Sequence, residues 1–559
     1  MTQSKFPLVH SAKPLATGTP QYEERRKDLL QAFYDKIPAE YRLPEKLLDN
    51  PPCDVTTIPS TCGILTPEEV KITEDYDAVG LAKAIAAKEL TAVAVTTAFC
   101  KRSIIAHQLS CCLTQWFMEE ALSQARYLDE YLEKNGRVMG PLHGVPISIK
   151  AHIPIAGTES NMGYLATVTG DREDSQMVKI LRDLGAVFFC KTHQPQALMH
   201  LESTSFWGRT LNPYNINLSA GGSSGGESAL IALKGSVLGV GTDIGGSIRG
   251  PAGFCGIYGF KPTSYTLPMQ GFLPGGHPAE LNVLCSTGPM CRSMRDMELF
   301  MSSLLGAKPY REDPRLVPIP WTGLGTPQHR KPLKVGLMMN DGVIQPQPPV
   351  TRALEWAHKL LLARPDLFDV KPYHAYQPTE AYKMIRMCYW PDGGIKMKQI
   401  LRQSGEPMHP LSQWTIKDAE SDVERTASEL IGYRVARDDF RSAFSKHWNA
   451  QDIDIVISPM FIGPACAHDT AFYWNYTYLW NFVDYPAVVV PTPIKAEAGE
   501  KYAKDNETPL SEACKHAREL WADTDFTGAP IGLQVIARRY HDNDLFGALS
   551  TLEHALQLP

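Results

Sequence analysis

The chain has 559 residues, of which 43% are hydrophobic and 21% are charged, as in ordinary globular proteins. The net charge of −6 and the lack of a basic stripe argue against a nucleic-acid partner. No run approaches the ~20 apolar residues of a membrane span, and the first residues lack an apolar signal core. We therefore predict a cytoplasmic protein without a membrane span.

The cysteines and histidines show no metal-binding pattern. The twelve cysteines are scattered and have no paired C-x-x-C spacing, which is typical of reduced thiols rather than of disulfides or a zinc site. The sixteen histidines include no H-E-x-x-H motif. We therefore predict neither a metal nor a cofactor.

The first 64 residues are predicted to form a helical and extended preface. A helix with one apolar face is predicted over 21–37, and Pro38 ends it. The stretch from 44 to 59 is rich in proline and is predicted to be extended. We expect the preface to pack either on the core or on a partner subunit. The second alternative corresponds to a homodimer. Residues 65–559 are predicted to form one domain.

The next part of the chain, up to Asn135, has helical periodicity. Thr66 followed by Pro67 indicates a helix start, with proline at the first helical position. Three amphipathic helices are then predicted, over 77–88, 91–108 and 118–134.

From Gly140 onward, apolar runs alternate with helical segments, which is typical of an α/β fold. The predicted strands are 145–149, 186–190, 238–240, 283–285, 333–338, 454–458, 487–490 and 532–536. The predicted helices are 175–184, 227–234, 293–305, 349–362 and 423–448. The aromatic residues between 372 and 405 are more typical of a core than of an acyl pocket.

Two glycine–serine clusters flank one small-residue helix between Gly221 and Pro251. Glycine permits unusual backbone conformations and close approach, so each cluster can expose a serine hydroxyl beside free N–H groups. A phosphate loop is disfavoured, because Glu227 stands where that motif needs lysine. Ser223 and Ser224 each fit the G-x-S-x-G pattern of a nucleophile elbow, so a Ser-His-Asp esterase remains an alternative.

These clusters resemble the motif of the amidase signature family. The segments that begin at Leu65, Ala98 and Ala106 look most like its fungal acetamidase-type members. The match runs from Gly222 through Gly-Thr-Asp-Ile-Gly-Gly-Ser247 to Pro251. Upstream, Gly-Val-Pro-Ile-Ser-Ile-Lys150 matches the family's catalytic-lysine segment. The resemblance extends from about Leu65 to the end of the chain. It implies an α/β fold, a three-layer α/β/α sandwich with a central mixed twisted sheet.

The resemblance also implies a catalytic triad. Ser247 is expected to form an acyl-enzyme, Ser223 to relay its proton and contact the substrate, and Lys150 to act as the base. A cis peptide bond is expected before Ser223. The backbone N–H groups expected to bind the oxyanion are those of Ile244, Gly245, Gly246 and Ser247. Leu198 and Met199 are expected to line the substrate site, with core packing as the alternative.

A lysine can act as a base only if its pKa is low. A free lysine has a pKa of ~10.4, so only about one in a few thousand is neutral at pH 7. Burial at the end of a strand is expected to lower the pKa of Lys150. Many family members have an acidic residue directly after this lysine, whereas Ala151 and His152 follow here. His152 is interpreted as a surface histidine, with a polar contact near Lys150 as the alternative, and Asp243 and Arg249 as an ion pair framing the loop.

The predicted reaction is the hydrolysis of a small primary amide to the acid and ammonia, without a cofactor. A serine attacks an amide only if a base accepts its proton and an anion site holds the tetrahedral oxygen. Besides the esterase, a second alternative is an acyl or ammonia transferase that works with a partner.

Overall fold

The structure is a computed structural model that describes residues 6–13, 18–273, 283–328, 331–502 and 508–558. In this part of the chain the strands are β1 (Leu113–Trp116), β2 (Pro146–Lys150), β3 (Glu159–Ser160), β4 (Thr169–Gly170), β5 (Val187–Thr192), β6 (Thr204–Ser205), β7 (Gly208–Arg209), β8 (Leu211–Asn212), β9 (Asn215–Ser219), β10 (Leu238–Asp243), β11 (Tyr258–Lys261), β12 (Ser286–Cys291), β13 (Leu333–Leu337), β14 (Phe368–Pro372), β15 (Ile455–Pro459), β16 (Ala487–Lys495) and β17 (Pro530–Ile536).

The α-helices of the same residues are α1 (Pro20–Asp35), α2 (Glu45–Asp49), α3 (Ile58–Thr61), α4 (Pro67–Asp75), α5 (Ala78–Ala86), α6 (Ala92–Ser110), α7 (Met118–Asn135), α8 (Gln176–Asp183), α9 (Gly225–Ala232), α10 (Arg249–Phe254), α11 (Met294–Gly306), α12 (Pro348–Leu362), α13 (Pro378–Tyr389), α14 (Ile395–Ser404), α15 (Pro410–Ile416), α16 (Ala427–Gln451), α17 (Asn475–Phe482), α18 (Glu512–Asp523) and α19 (Asp542–Leu556). None of these helices is both long and apolar enough to cross a bilayer.

One mixed sheet of eleven strands forms the centre of the described fold, in the order β1-β5-β2-β10-β12-β11-β16-β17-β15-β13-β14. Strand β2 is parallel to both of its neighbours, β5 and β10. Because the carboxyl ends of parallel strands meet at one edge, side chains at the ends of β2 and β10 lie close together. This edge positions the candidate site.

Hydrophobic cores cover both faces of the sheet. Along β16, Val488 and Val490 belong to one core, whereas Ala487 and Val489 belong to the other. Successive side chains of a strand point to opposite faces, so the alternation places helices on both sides. The predicted three-layer α/β/α arrangement around a mixed sheet is confirmed.

Several predicted boundaries shift for local reasons. Helix α16 begins at Ala427 rather than at Val423, because Thr426 and Glu429 form a reciprocal capping box. Strand β10 continues three residues past the predicted end, and β12 starts three residues later than predicted. The stretch from 44 to 59, predicted as extended, carries the short helices α2 and α3.

The N-terminal segment packs on the rest of the molecule. The Phe33 side chain of α1 is 6% exposed. Its ring centroid lies 4.7 Å from that of His107 in α6 and 6.0 Å from that of Trp207. Helix α1 therefore contributes apolar contacts to the same core as α6. The division of the chain at residue 64 stays a prediction.

Replacing Phe33 by Ala tests whether α1 stabilises the whole chain. We expect the free energy of unfolding to fall by about 3–5 kcal/mol, because a buried aromatic side chain is removed. Chemical denaturation of the full chain measures the change. Lys27→Ala, at an exposed position of the same helix, is the matched control and should leave the unfolding free energy nearly unchanged. Equal stability of the two variants would contradict the prediction.

Candidate active site

Lys150 occupies the centre of the candidate site. It is the last residue of β2, between β5 and β10, and its side chain is completely buried. Its Nζ lies 2.7 Å from Ser223 Oγ and 3.1 Å from Thr242 Oγ1. Thr242 belongs to β10, so the parallel pairing of β2 and β10 brings the amine to the hydroxyl.

Burial controls the ionisation of the Lys150 amine. Burial away from water lowers the pKa of Lys150 to about 7, although the electrostatic interactions with Cys285, Asp243 and Glu227 raise it. The Glu227 carboxyl is also fully buried and accepts hydrogen bonds from Ser148 and Thr192. Burial raises the pKa of Glu227 to about 8, so it is mostly protonated at neutral pH. The amine therefore has a large neutral fraction at pH 7.

Ser223 sits in a tightly packed turn directly before α9. The peptide bond between Gly222 and Ser223 is cis, as the family resemblance implies. A Cβ on Gly222 would lie 2.6 Å from the backbone oxygen of His200 and from the backbone nitrogen of Glu202. Only glycine fits this close approach. The turn thereby holds the Ser223 hydroxyl, which is 2% exposed, against Lys150.

Ser247 lies on the loop between β10 and α10. Its carbonyl oxygen accepts a hydrogen bond of 3.1 Å from the N–H of Ser224. This bond holds the loop that carries Ser247 against the turn that carries Ser223. The Ser247 side chain is 6% exposed. The two glycine–serine clusters therefore meet in space.

The backbone of this loop is oriented by contacts with two distant helices. Tyr389 Oη, from α13, donates to the carbonyl oxygen of Ile244 at 2.6 Å. Thr477 Oγ1, from α17, donates to that of Gly245 at 2.7 Å. In a trans peptide the N–H points away from the C=O, so the N–H of Gly245 faces away from Tyr389.

The four N–H groups predicted to bind an oxyanion are not equivalent. The Gly246 N–H donates to Asp243 Oδ1 at 2.8 Å, so it is already used. Within the described ranges, no hydrogen bond occupies the N–H groups of Ile244, Gly245 and Ser247. The predicted donors to an oxyanion are therefore the N–H groups of Ile244, Gly245 and Ser247.

Asp243 and Arg249 form the predicted ion pair beneath the loop. Both side chains are completely buried, and Arg249 Nε lies 3.0 Å from Asp243 Oδ2. Asp243 also accepts from the N–H of Ile248 and from the side-chain amide of Asn481. Burial alone would raise the pKa of Asp243, but the Arg249 guanidinium holds it well below its usual range. The pair thus fixes the loop and neutralises a charge near Lys150.

His152 is not the surface histidine that we expected. Its side chain is 3% exposed, and its Nδ1 lies 3.0 Å from Gln194 Oε1. Its Nε2 lies 3.5 Å from Thr242 Oγ1. Burial lowers the pKa of His152 to about 3, so the imidazole is neutral. The flanking isoleucines of this segment are also buried, and this apolar pattern is the signal that the surface interpretation overlooked.

Leu198 and Met199 lie on the segment that leads into the Ser223 turn. Both side chains are partly exposed, and Leu198 has a φ of +60°. The residues that follow them, His200 and Glu202, pack their backbones against Gly222. A substrate-lining role for the two side chains stays a prediction.

Comparisons with known proteins agree with this geometry. Residues 94–546 match a family model described as Amidase. An amidase of Gibberella zeae is 38% identical over 541 residues, covering 94% of this chain and 97% of that protein. The acetamidase of Emericella nidulans is 35% identical over 535 residues, covering 93% of this chain and 95% of its own. A solved fatty acid amide hydrolase, 33% identical, superposes with a TM-score of 0.88 and covers 96% of this chain and 95% of its own.

These matches span most of the chain and include both the lysine strand and the glycine–serine clusters. They remove the α/β-hydrolase esterase as an alternative, because that fold belongs to a different family. The chain belongs to the amidase signature family and is an amidase.

Proposed function

We propose that this amidase hydrolyses a small primary carboxylic amide to the acid and ammonia through an acyl-enzyme on Ser247. Ser223 and Lys150 relay the proton. The observation that carries the proposal is the completely buried Lys150 amine, 2.7 Å from the Ser223 hydroxyl and with a pKa near 7.

In the first step, neutral Lys150 accepts the proton of Ser223 as Ser223 takes the proton of Ser247. The Ser247 Oγ attacks the amide carbon and forms a tetrahedral intermediate with a negative oxygen. The N–H groups of Ile244, Gly245 and Ser247 are the proposed donors to that oxygen. Fixed donors stabilise the developing charge without reorganising during the reaction.

In the second step, the C–N bond breaks and the relay returns its proton to the leaving nitrogen, which departs as ammonia. The acyl group remains as an ester on Ser247. Water then attacks this ester and gives one proton to the relay. The C–O bond to Ser247 breaks, Ser247 regains the proton, and the carboxylic acid leaves. Lys150 is neutral again at the end of the cycle.

The named relatives favour a small acyl group. Two relatives that each cover 93% of this chain are named acetamidases.

A long-chain amide is the second candidate substrate, since the solved fatty acid amide hydrolase superposes over nearly the whole chain. We expect the purified chain alone to release ammonia from acetamide faster than from a long-chain primary amide. A coupled ammonia assay over short aliphatic, aromatic and long-chain amides measures this. Faster release from the long-chain amide would overturn the substrate proposal. Turnover only after a partner protein is added would favour the transferase alternative.

Replacing Lys150 by Met removes the proposed base and keeps an unbranched side chain. We expect kcat/KM to fall about 10²–10⁴-fold, the usual contribution of a general base. Ser247→Ala should abolish turnover and also the acyl adduct seen by mass spectrometry of the intact protein. Ser228→Ala is the matched control: it removes a buried hydroxyl of α9 that donates to the backbone oxygens of Ala220 and Gly225, and it should retain most activity. Near-normal turnover by Lys150→Met would overturn the proposal.

The pH dependence of kcat/KM should follow the neutral fraction of Lys150. The pKa of about 7 predicts a rate that falls with decreasing pH below about 7 and levels off above it. Activity measured from roughly pH 5 to 9 tests this. We call the fall in rate below about pH 7 the acid limb. Glu227→Gln removes the neighbouring titratable carboxyl and should keep the acid limb. A limb that disappears in Glu227→Gln, or a flat profile in the native enzyme, would contradict the assignment to Lys150.

A further inference from the structure

We infer that His152 and Thr242 orient the amine of Lys150 through a directed chain of hydrogen bonds that starts at Gln194. The inference rests on the proposed function, in which Lys150 is the base. Neither His152 nor Thr242 donates to the proposed nucleophile, so both are positioning residues. Their role is to point the lone pair of the neutral amine at Ser223.

The chain of hydrogen bonds has a fixed direction because the side-chain amide of Gln194 has a fixed orientation. Gln194 Nε2 donates to the backbone oxygen of Asn161 at 2.7 Å. The other amide atom, Oε1, therefore faces His152 Nδ1 at 3.0 Å. A carbonyl oxygen can only accept, so Nδ1 of His152 carries the ring proton.

The protonation of His152 at Nδ1 also fixes the direction of its hydrogen bond with Thr242. In a neutral imidazole with the proton on Nδ1, the other nitrogen has a lone pair and accepts. His152 Nε2 lies 3.5 Å from Thr242 Oγ1, at the outer limit of a hydrogen bond, and in the inferred chain the threonine hydroxyl donates across this contact. The imidazole is held in this plane by an edge-to-face contact with Phe272, with ring centroids 5.9 Å apart.

Thr242 in turn fixes the amine. Its hydroxyl proton is used by His152, so the oxygen offers its lone pairs to Lys150 Nζ at 3.1 Å. A neutral amine has two N–H groups and one lone pair. With one N–H held by Thr242, the lone pair can face Ser223 Oγ at 2.7 Å. Without Thr242 the amine rotates freely and can donate to Ser223, an orientation that accepts no proton.

A histidine supplies this contact without adding a negative charge. The titratable groups that face Lys150 are Cys285, Asp243, Glu227 and His152. Asp243 is neutralised by Arg249, and burial keeps the Cys285 thiol and most of the Glu227 carboxyl protonated. His152 is neutral because burial lowers its pKa, and the Lys191 cation and the protonated form of Lys150 lower it further. A carboxylate in its place would raise the pKa of Lys150.

Substitutions at Thr242 test the last hydrogen bond of the chain, between Thr242 and the Lys150 amine. Thr242→Val keeps the shape and removes the hydroxyl, and we expect kcat to fall about 10- to 100-fold with little change in KM. Thr242→Ser restores the hydroxyl and should regain the rate to within about threefold. The acid limb of Thr242→Val should not move to higher pH, because the loss of a hydrogen-bond acceptor for the ammonium form can only lower the pKa of Lys150.

Substitutions at His152 separate orientation from charge. His152→Phe removes the acceptor and should lower kcat about as much as Thr242→Val. His152→Glu keeps an acceptor for the Thr242 hydroxyl but adds a charge. We expect its acid limb to move up by about one pH unit or more, with activity recovered at high pH. A purely structural role predicts equal losses at every pH.

Melting temperatures of all variants are measured beside kcat, KM and the pH profiles. Native rates in both Thr242→Val and His152→Phe would overturn the inference, and the proposed function would stand if Lys150→Met were still inactive. Equal losses in Thr242→Val and Thr242→Ser, with lowered melting temperatures, would also overturn it. Normal turnover by Lys150→Met would remove the proposed function together with the inference.

Discussion

The fold of this amidase holds one lysine amine away from water without giving it a charged partner. A comparison within the sheet shows how unusual this is. Lys191, on the neighbouring strand β5, is just as buried, but its Nζ lies 2.6 Å from a carboxylate oxygen of Asp171. Among the described residues, the hydrogen-bond partners of the Lys150 amine are the hydroxyl groups of Ser223 and Thr242. A buried cation without a counter-charge costs much free energy. Burial lowers the pKa of Lys150 to about 7, whereas Asp171 opposes the same effect at Lys191, whose pKa falls only to about 8.

The surrounding elements keep negative charge from the amine. The carboxylate of Asp243, at the end of β10, is occupied by Arg249 and by backbone N–H groups. Glu227, in α9, lies in the same core, but burial favours its protonated form. Both carboxyl groups are thus structural at neutral pH. Their arrangement lets one edge of the sheet combine a low-pKa amine with two serine hydroxyls.

Much of the fold and part of the site follow from local sequence. The alternation of apolar runs predicts most strands, and the glycine–serine clusters point to Ser223 and Ser247. The contacts that orient the site are not local. Tyr389 reaches Ile244 across 145 positions of the chain, and Thr477 reaches Gly245 across 232. No spacing pattern in the sequence predicts these two hydrogen bonds, because they form only when α13 and α17 pack on the loop. The burial of His152 had a local signal in its flanking isoleucines, but its partners Gln194 and Thr242 lie 42 and 90 positions away.

The anchoring of the Ser247 loop by α13 and α17 ties catalysis to the second half of the chain. These helices hold the loop through the hydroxyl groups of Tyr389 and Thr477, and α17 also binds the Asp243–Arg249 pair through Asn481, whereas the sheet beneath is secured by many backbone hydrogen bonds. Segments of a protein open locally at different free energies, and α13, which carries Tyr389 and has several exposed residues, should open before the sheet, whereas all residues of α17 are buried. Catalytic competence should therefore be lost while the strands are still paired. A screen for stabilising substitutions that scored global melting alone would miss the part of the molecule that limits the working lifetime of the enzyme.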